Sequence, residues 1–453
     1  VAACAGPVER STLTDLRAVE RTLVELPPGA PTDGQDVGAP AADDAEGFRG
    51  HIEGYLAYAF AHRPALRASF EEWRAATYRP RQARRLPEPT VTYAGFVRSV
   101  ETRVGPQRHR LGATQWFPWP TKLTAGGRAA SLDARAAQRR FEAHALDVAA
   151  EVAAAYWSLW RVHRRRDVLR DEVTVLGSLV EQVRVRVEVG MADLADLAQL
   201  DLQVSRSRDR LAGLDEQERS ASAALVAVLG APDGTPTPVT QADVAAAPID
   251  ETVGSLAAEA SEHPRVASLA SQSDAQHERV RQARADRFPS FGVGVDWILT
   301  GPSAAAMPPA DSGQDAVALS LSLKVPLWTR AYRASEDEAG AHSAAYRARA
   351  IEARNRVAAN VRQQAAAVTD DVRRIEVLRS TLVPQAQAAF ESVLSSYAAG
   401  RSSVAELLLS EQALLGLQDE LYAAAADYGT HLAALEREVG RPVRTKGSTH
   451  VDR

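Results

Sequence analysis

The feature that most constrains this chain is that it says nearly the same thing twice. Around Gly190 it reads Val187-x-x-Gly190-x3-Leu194-x-x-Leu197-x6-Val204-x6-Leu211. Around Gly400 it reads Tyr397-x-x-Gly400-x3-Val404-x-x-Leu407-x6-Leu414-x6-Leu421, every position displaced by 210. Gly230 and Gly440 close the two segments at the same offset. Upstream, Arg63-Pro64 recurs as His263-Pro264, and the RLPEP around Pro87 recurs as the RFPSF around Pro289. The TQWFPW around Pro118 returns as the LKVPLW around Pro326. An ordered series of this kind marks an internal duplication. Residues 48–250 and 251–440 therefore read as two structural repeats, followed by a polar tail over 441–453.

Each repeat begins with strands. Segments 90–99 and 109–117 alternate in polarity and are joined by the turn ETRVGPQR. In the second repeat the alternation is sharper, within strands expected over about 290–326. Phe291, Val293, Val295, Trp297 and Leu299 share one face, opposite Gly292, Gly294 and Asp296. After a Pro/Gly/Ser/Ala loop, Val317, Leu319, Leu321, Leu323 and Val325 do the same against Ser320, Ser322 and Lys324. Period-2 patterning over nine residues gives a strand with one apolar face, about long enough to cross a bilayer at a tilt. Soluble sandwich strands alternate identically, but two strands per repeat are too few for a sandwich. Trp116, Trp119 and Trp328 sit at strand ends, as interfacial belts do.

Long helices follow. Ala125 to Val189 contains no proline, and at 1.5 Å per residue such a stretch makes a rod of roughly 95–100 Å. Val162, Leu169, Val173, Leu176, Val180, Val183 and Val187 keep the 3/4 spacing of a coiled-coil seam. The seam resumes after Gly190, and the second repeat does the same from Ala331 to Ala398 and again from Val404. A glycine between paired rods is where the chain reverses, because it accepts a left-handed backbone. Each repeat is thus two strands plus an antiparallel helical hairpin, in a mainly α fold with a small β part.

Composition excludes several classes. A formal charge of -5 and a pI near 6.1 argue against a general nucleic-acid binder. No run of 18 apolar residues encodes a membrane helix, which leaves a β-barrel open. The ten histidines show no metal-ligand spacing, and no phosphate loop or GxSxG is present, so neither an enzyme, a metal site nor a cofactor is expected. His62 and His263, beside prolines, read as caps or surface groups. Arg108–Arg110 reads as an exposed turn, and Arg161–Arg166 as a solvated face or an intersubunit ion-pair site.

The single cysteine, Cys4, follows Val1-Ala2-Ala3, the tail of a bacterial lipoprotein signal, and acylation there is the expectation. Residues 1–47 then read as an anchor with a short helical stretch and a Pro/Gly/Asp-rich linker.

Four strands in lipid would leave edge N–H and C=O groups unpaired, so they must close with other copies of the chain. With this, the residues resemble the TolC-like outer-membrane efflux proteins over roughly 48–440. The resemblance rests on the duplication, the proline-flanked strands (PEPTVTY, TQWFPW, PSFGVGV, LKVPLW) and the two glycine tips (VEVGMADLADL, YAAGRSSVAELL). One departure is TQWFPWPTK, where many relatives carry a glycine. The resemblance implies a homotrimer in the outer membrane of a Gram-negative-type bacterium, with a twelve-stranded barrel continued by a periplasmic α-helical tunnel. It implies a passive conduit for efflux or type I secretion, gated at the helical tip, with an adaptor and an inner-membrane pump as partners. Val187, Gly190, Leu194, Tyr397, Gly400 and Val404 become candidates for adaptor docking. Asp193, Asp196 and Glu406 become candidates for a carboxylate ring at the aperture, with Glu411 as a substitute. Phe291, Val293, Val295, Trp297, Leu319, Leu321 and Leu323 become candidates for facing lipid. A periplasmic adaptor fits less well, since adaptors carry one hairpin, and a coiled-coil scaffold would need neither strands nor a lipobox.

Overall fold

The computed structural model describes residues 6–24, 50–232, 235, 240–242 and 244–446. Cys4 and the Pro/Gly/Asp-rich run lie outside the described residues. The chain divides into two compact units that cut across both repeats, each unit taking part of each repeat.

The first unit carries the strands: β1 (Thr90–Thr102), β2 (Gly105–Phe117), β3 (Ser290–Thr300) and β4 (Ala316–Lys324), paired antiparallel in the order β1-β2-β3-β4. Alternation in the sequence becomes rows in the sheet. Tyr93, Leu111, Trp297 and Val317 stand side by side, as do Val91, Ala113, Val295 and Leu319. Phe117, Phe291 and Leu323 form a third row on the same face. The opposite face is small or polar, with Thr114, Gly294 and Ser320 in one row and Gly112, Asp296 and Ala318 in another. Arg110 pairs with Asp296 at 3.0 Å on that face.

The first hairpin differs from expectation. The segment expected as a turn over 101–108 is mostly strand, and Thr102 pairs directly with Gly105 around Arg103-Val104. Arg108–Arg110 accordingly lies within β2 and not in a turn. Tight two-residue closure is possible because Gly105 adopts φ 130, where a side chain would strike the Gly301 carbonyl.

Helices flank the sheet in sequence. Before β1 come α1 (Pro7–Val24), α2 (Ile52–His62) and α3 (Pro64–Ala83). Within the first unit α1 docks through buried Thr12 and Leu16, a Glu9–Arg84 ion pair and a 3.0 Å bond from Gln138 to Asp15. The short helical stretch read ahead of the Pro/Gly/Asp-rich linker is this packed helix. After β2, α4 (Pro120–Glu188) runs 69 residues without a break, about 100 Å. Pro120 starts it, at the position where a missing N–H costs least. It is followed by α5 (Leu194–Leu229), α6 (Val253–Ala258) and α7 (Pro264–Ala285).

The second long rod is not one regular helix. It comprises α8 (Thr329–Val377), a π-turn over Leu378–Leu382 and α9 (Val383–Ala398), before α10 (Val404–Val439). Pro384 explains the interruption: it has no N–H for the carbonyl four residues back, and its ring crowds that turn. Val383 N–H instead reaches Leu378 O, one residue further than in an α-helix.

Among the described residues, the second unit holds three apolar clusters. Tyr55, Tyr58, Val152, Tyr156, Leu225 and Leu229 join α2, α4 and α5. Leu256, Val361, Val368, Ala425 and Leu435 join α6, α8 and α10. There Gly429 lies so close to Trp157 that a Cβ would fall 2.1 Å from the indole. The third cluster lies at the tips.

Candidate functional site: the paired hairpin tips

Both rods end by the same device. Gly190 at φ 77 donates to Val187 O (3.0 Å), and Met191 N–H reaches Arg186 O (2.7 Å). Gly400 at φ 70 donates to Tyr397 O (2.9 Å), and Arg401 N–H reaches Ser396 O (2.8 Å). This paired closure satisfies the last carbonyls of a helix and needs a left-handed residue at its centre. Open space surrounds both glycines, so the backbone and not packing selects them.

The returning helices are capped differently. Asp193 accepts from Ala195 N–H (3.1 Å) at the start of α5. Ser403 accepts from Glu406 N–H (3.2 Å), while Glu406 accepts from Ser403 N–H (3.1 Å) and from the Ser402 hydroxyl (2.6 Å), a reciprocal capping box. Those hydrogen bonds, from Ser402 first, hold the Glu406 carboxyl below its ordinary range.

One apolar cluster joins the two tips. It contains Leu176, Val180, Val183, Leu200, Tyr397, Val404 and Leu407, with Val187 and Leu197 packed against it. Arg186 fastens the seam. Its guanidinium lies 5.5 Å above the Tyr397 ring and donates to the carbonyls of Tyr397 (3.2 Å) and Ala398 (3.3 Å). Burial raises the Tyr397 phenol, opposed by the Arg186 charge, with Asp196 adding to the rise.

Of the docking candidates, the structure brings together Val187, Tyr397 and Val404, whereas Leu194 is 68% exposed. Of the aperture candidates, Asp193 and Glu406 serve as caps and Asp196 lies half-buried on the first turn of α5. Glu411 is buried, 4% exposed, among the helices. Sequence reasoning passed over Arg186, although its place beside Val187 put it on the last turn of the rod.

Other candidates resolve locally. His263 is buried; its Nδ1 accepts from Arg265 N–H and its Nε2 donates to Arg437 O, capping α7. His62 stacks on Tyr58 and bonds the Tyr58 carbonyl at the end of α2. The basic run finds partners within the chain: Arg166 and His163 meet Glu218, and Arg165 meets Asp419 at 3.3 Å. Among the described residues no group of three His, Cys, Asp or Glu could hold a metal, and no helix is long and apolar enough to cross a membrane.

The family model described as outer membrane efflux protein matches residues 56–231 and 256–441. The chain belongs to that family. As a family member the chain is an outer-membrane efflux channel component of tripartite systems, a passive channel and not an enzyme. The family places it in the outer membrane with a helical tunnel in the periplasm. No curated protein matches the sequence. Among solved structures, a membrane protein from Pseudomonas aeruginosa is 19% identical with a TM-score of 0.72, over 90% of this chain and 99% of that one. The outer membrane protein VceC from Vibrio cholerae is 19% identical with a TM-score of 0.69, over 86% and 96%. The open state of the MtrE outer membrane channel from Neisseria gonorrhoeae is 16% identical with a TM-score of 0.68, over 86% and 89%. At these identities the likeness is one of fold.

Proposed function

We propose that three copies of this chain close their sheets into one twelve-stranded barrel and serve as a conduit gated at the hairpin tips. The observation that carries this is the apolar sheet face. Val91, Tyr93, Val295, Trp297, Leu319 and Leu321 are between 43% and 86% exposed, in contiguous rows. A sheet in water covers such a face, whereas one in lipid does not. Phe291, Val293 and Leu323 complete the lipid-facing set. Among the described residues, strands β1 and β4 each have one neighbour, and in hydrocarbon every unpaired edge group costs several kcal/mol. Closure with further copies removes those edges, and the small, polar opposite face then lines the pore.

In this reading the joined tips form the periplasmic end. Gly190, Gly400 and the neighbouring Leu194 offer adaptor contacts, and Asp196 is the acidic residue left to face an aperture. Acylation of Cys4 would add an anchor. An adaptor and an inner-membrane pump complete the path, and the pump selects the cargo.

The test is the mass of the detergent-extracted particle with detergent subtracted. A value near three times 48.7 kDa supports the closure, and a monomer sinks it. Leu321→Arg should block assembly, a charge on the lipid face costing about 2–4 kcal/mol near mid-membrane. Ser322→Arg, on the other face, should assemble normally; equal tolerance at both positions would contradict the assignment of faces.

A further inference from the structure

Where β2 passes into α4 and α7 passes into β3, the first unit holds a cavity that the conduit does not use. It measures about 270 Å³ and lies between the start of α4 and the end of α7. Ala125 and Ala285, each 2% exposed, floor it, and their small side chains leave the space open. Three contacts fix the register of the two helices. Lys122 pairs with Asp286 (2.5 Å), Arg279 pairs with Asp133 (2.5 Å), and a Cβ on Gly126 would fall 3.3 Å from the Gln282 amide.

Hydrogen-bond donors line the rim: Arg128, Arg281 and Arg284, with the hydroxyls of Thr121 and Thr124. The one carboxyl group in the lining, Glu278, holds Arg281 through Oε1 (2.9 Å), and its Oε2 is buried. Arg284 (2.6 Å) and Arg287 (3.6 Å) share the single carboxylate of Glu336. Arg128 is exposed and has no carboxylate partner among the described residues. Positive charge therefore exceeds negative around the cavity, and it is carried by guanidinium forks, which match phosphate oxygens in pairs.

The edge of the cavity is aromatic. Phe288 lines it, is 50% exposed and stacks on Trp119 at 4.9 Å, and Trp119 meets Phe291 at 6.5 Å. Phe291 belongs to the apolar row with Phe117 and Leu323, at the end of the sheet nearest the helices. A donor-lined cavity thus adjoins an apolar surface, which suits an amphiphile better than a free anion. Aromatic side chains settle at the headgroup level of a membrane, and the anion at that depth is the lipid phosphate.

We propose that this cavity binds one glycerophospholipid of the periplasmic leaflet per chain, its phosphate among Arg128, Arg281 and Arg284 and its acyl chains along Phe288 and Phe291. The proposal rests on the reading of the apolar rows as the lipid-facing side. A lipid held this way bridges α4 and α7 where barrel becomes tunnel, and so pins the depth of the sheet in the membrane.

Native mass spectra of the full-length, detergent-extracted protein, titrated with dihexanoylphosphatidylglycerol, provide the test. One lipid per chain should be retained, and Arg128→Ala should weaken it by at least about tenfold, the scale of a lost charge-assisted contact. Arg128→Lys should recover part of the binding through its point charge. Thr124→Phe fills the cavity with every charge kept and should abolish retention. Arg330→Ala, which removes an exposed charge from the start of α8 outside the cavity, should change nothing. Equal loss in Arg330→Ala, or no loss in Arg128→Ala, would overturn the proposal. So would displacement of the lipid by inorganic phosphate at the same concentration, or equal retention of dihexanoylglycerol, which lacks the phosphate. The same spectra report particle mass. Arg128-dependent retention by a monomer keeps the site and removes the trimer, whereas a trimer without such retention does the reverse.

Discussion

At the first tip Leu194 opens its helix 68% exposed, whereas Val404, the same position in the second repeat, is fully buried. The backbones at the two places are nearly identical, with the same glycine closure and a polar cap before the helix. Local chemistry was duplicated and tertiary role was not. The second tip is the inner member of the pair: Tyr397, Val404 and Leu407 lie in the shared cluster, and Arg186 of the first tip reaches across to its carbonyls. The first tip supplies the clamp and leaves its own apex in solvent.

The same substitution at paired positions can break this comparison. The largest difference is expected for aspartate. Val404→Asp buries a charge with no partner and should cost more than about 4 kcal/mol, read as loss of amide protection around both tips. Leu194→Asp should stay within about 0.5 kcal/mol. Matching losses at both would mean the tips are packed alike.

Valine at the glycines tests the part that was conserved. Gly190→Val and Gly400→Val each force a branched side chain to positive φ, at about 1–3 kcal/mol, and local exchange should rise equally at both. Unequal effects would show that packing, and not backbone, selects one of them.

The caps should give the smallest contrast. Ser403→Ala breaks one arm of a reciprocal box and Asp193→Ala a single bond, each costing about 1 kcal/mol, with the former larger. The second tip should also loosen in acid. The Glu406 carboxyl is depressed by its partners, so its contribution is present above the ordinary glutamate pKa and lost as pH falls through the lower native value. Exchange at the start of α10 in wild type and Glu406→Gln checks this; identical acid profiles would remove Glu406 from the cap.

Much of this was legible in residue spacing. Period-2 runs gave the strands and their apolar rows, because a pleat has no other way to arrange them. Glycine at the rod ends gave the reversals, because a left-handed position tolerates little else. What spacing missed depended on neighbours distant in the chain. Glu411 looks like a solvated helix residue until α4 and α5 are placed against it. Asp201, its counterpart by repeat offset, is indeed exposed. Pro384 was visible, but only its replacement by a π-turn, and not a kink or a stop, required the fold. The extent of β1 and β2 was underestimated because turn-forming residues at 101–108 can also serve a strand when the partner strand holds them.

The unpaired edges of β1 and β4 carry a genetic consequence. Under the closure proposed here, a copy that can dock by one edge and not the other occupies a place in a ring that can never be completed. Proline substitutions along the outward edge of β4 should therefore be dominant over wild type when both are expressed together. A truncation that removes the whole sheet should be recessive, because it leaves nothing with which to spoil a neighbour.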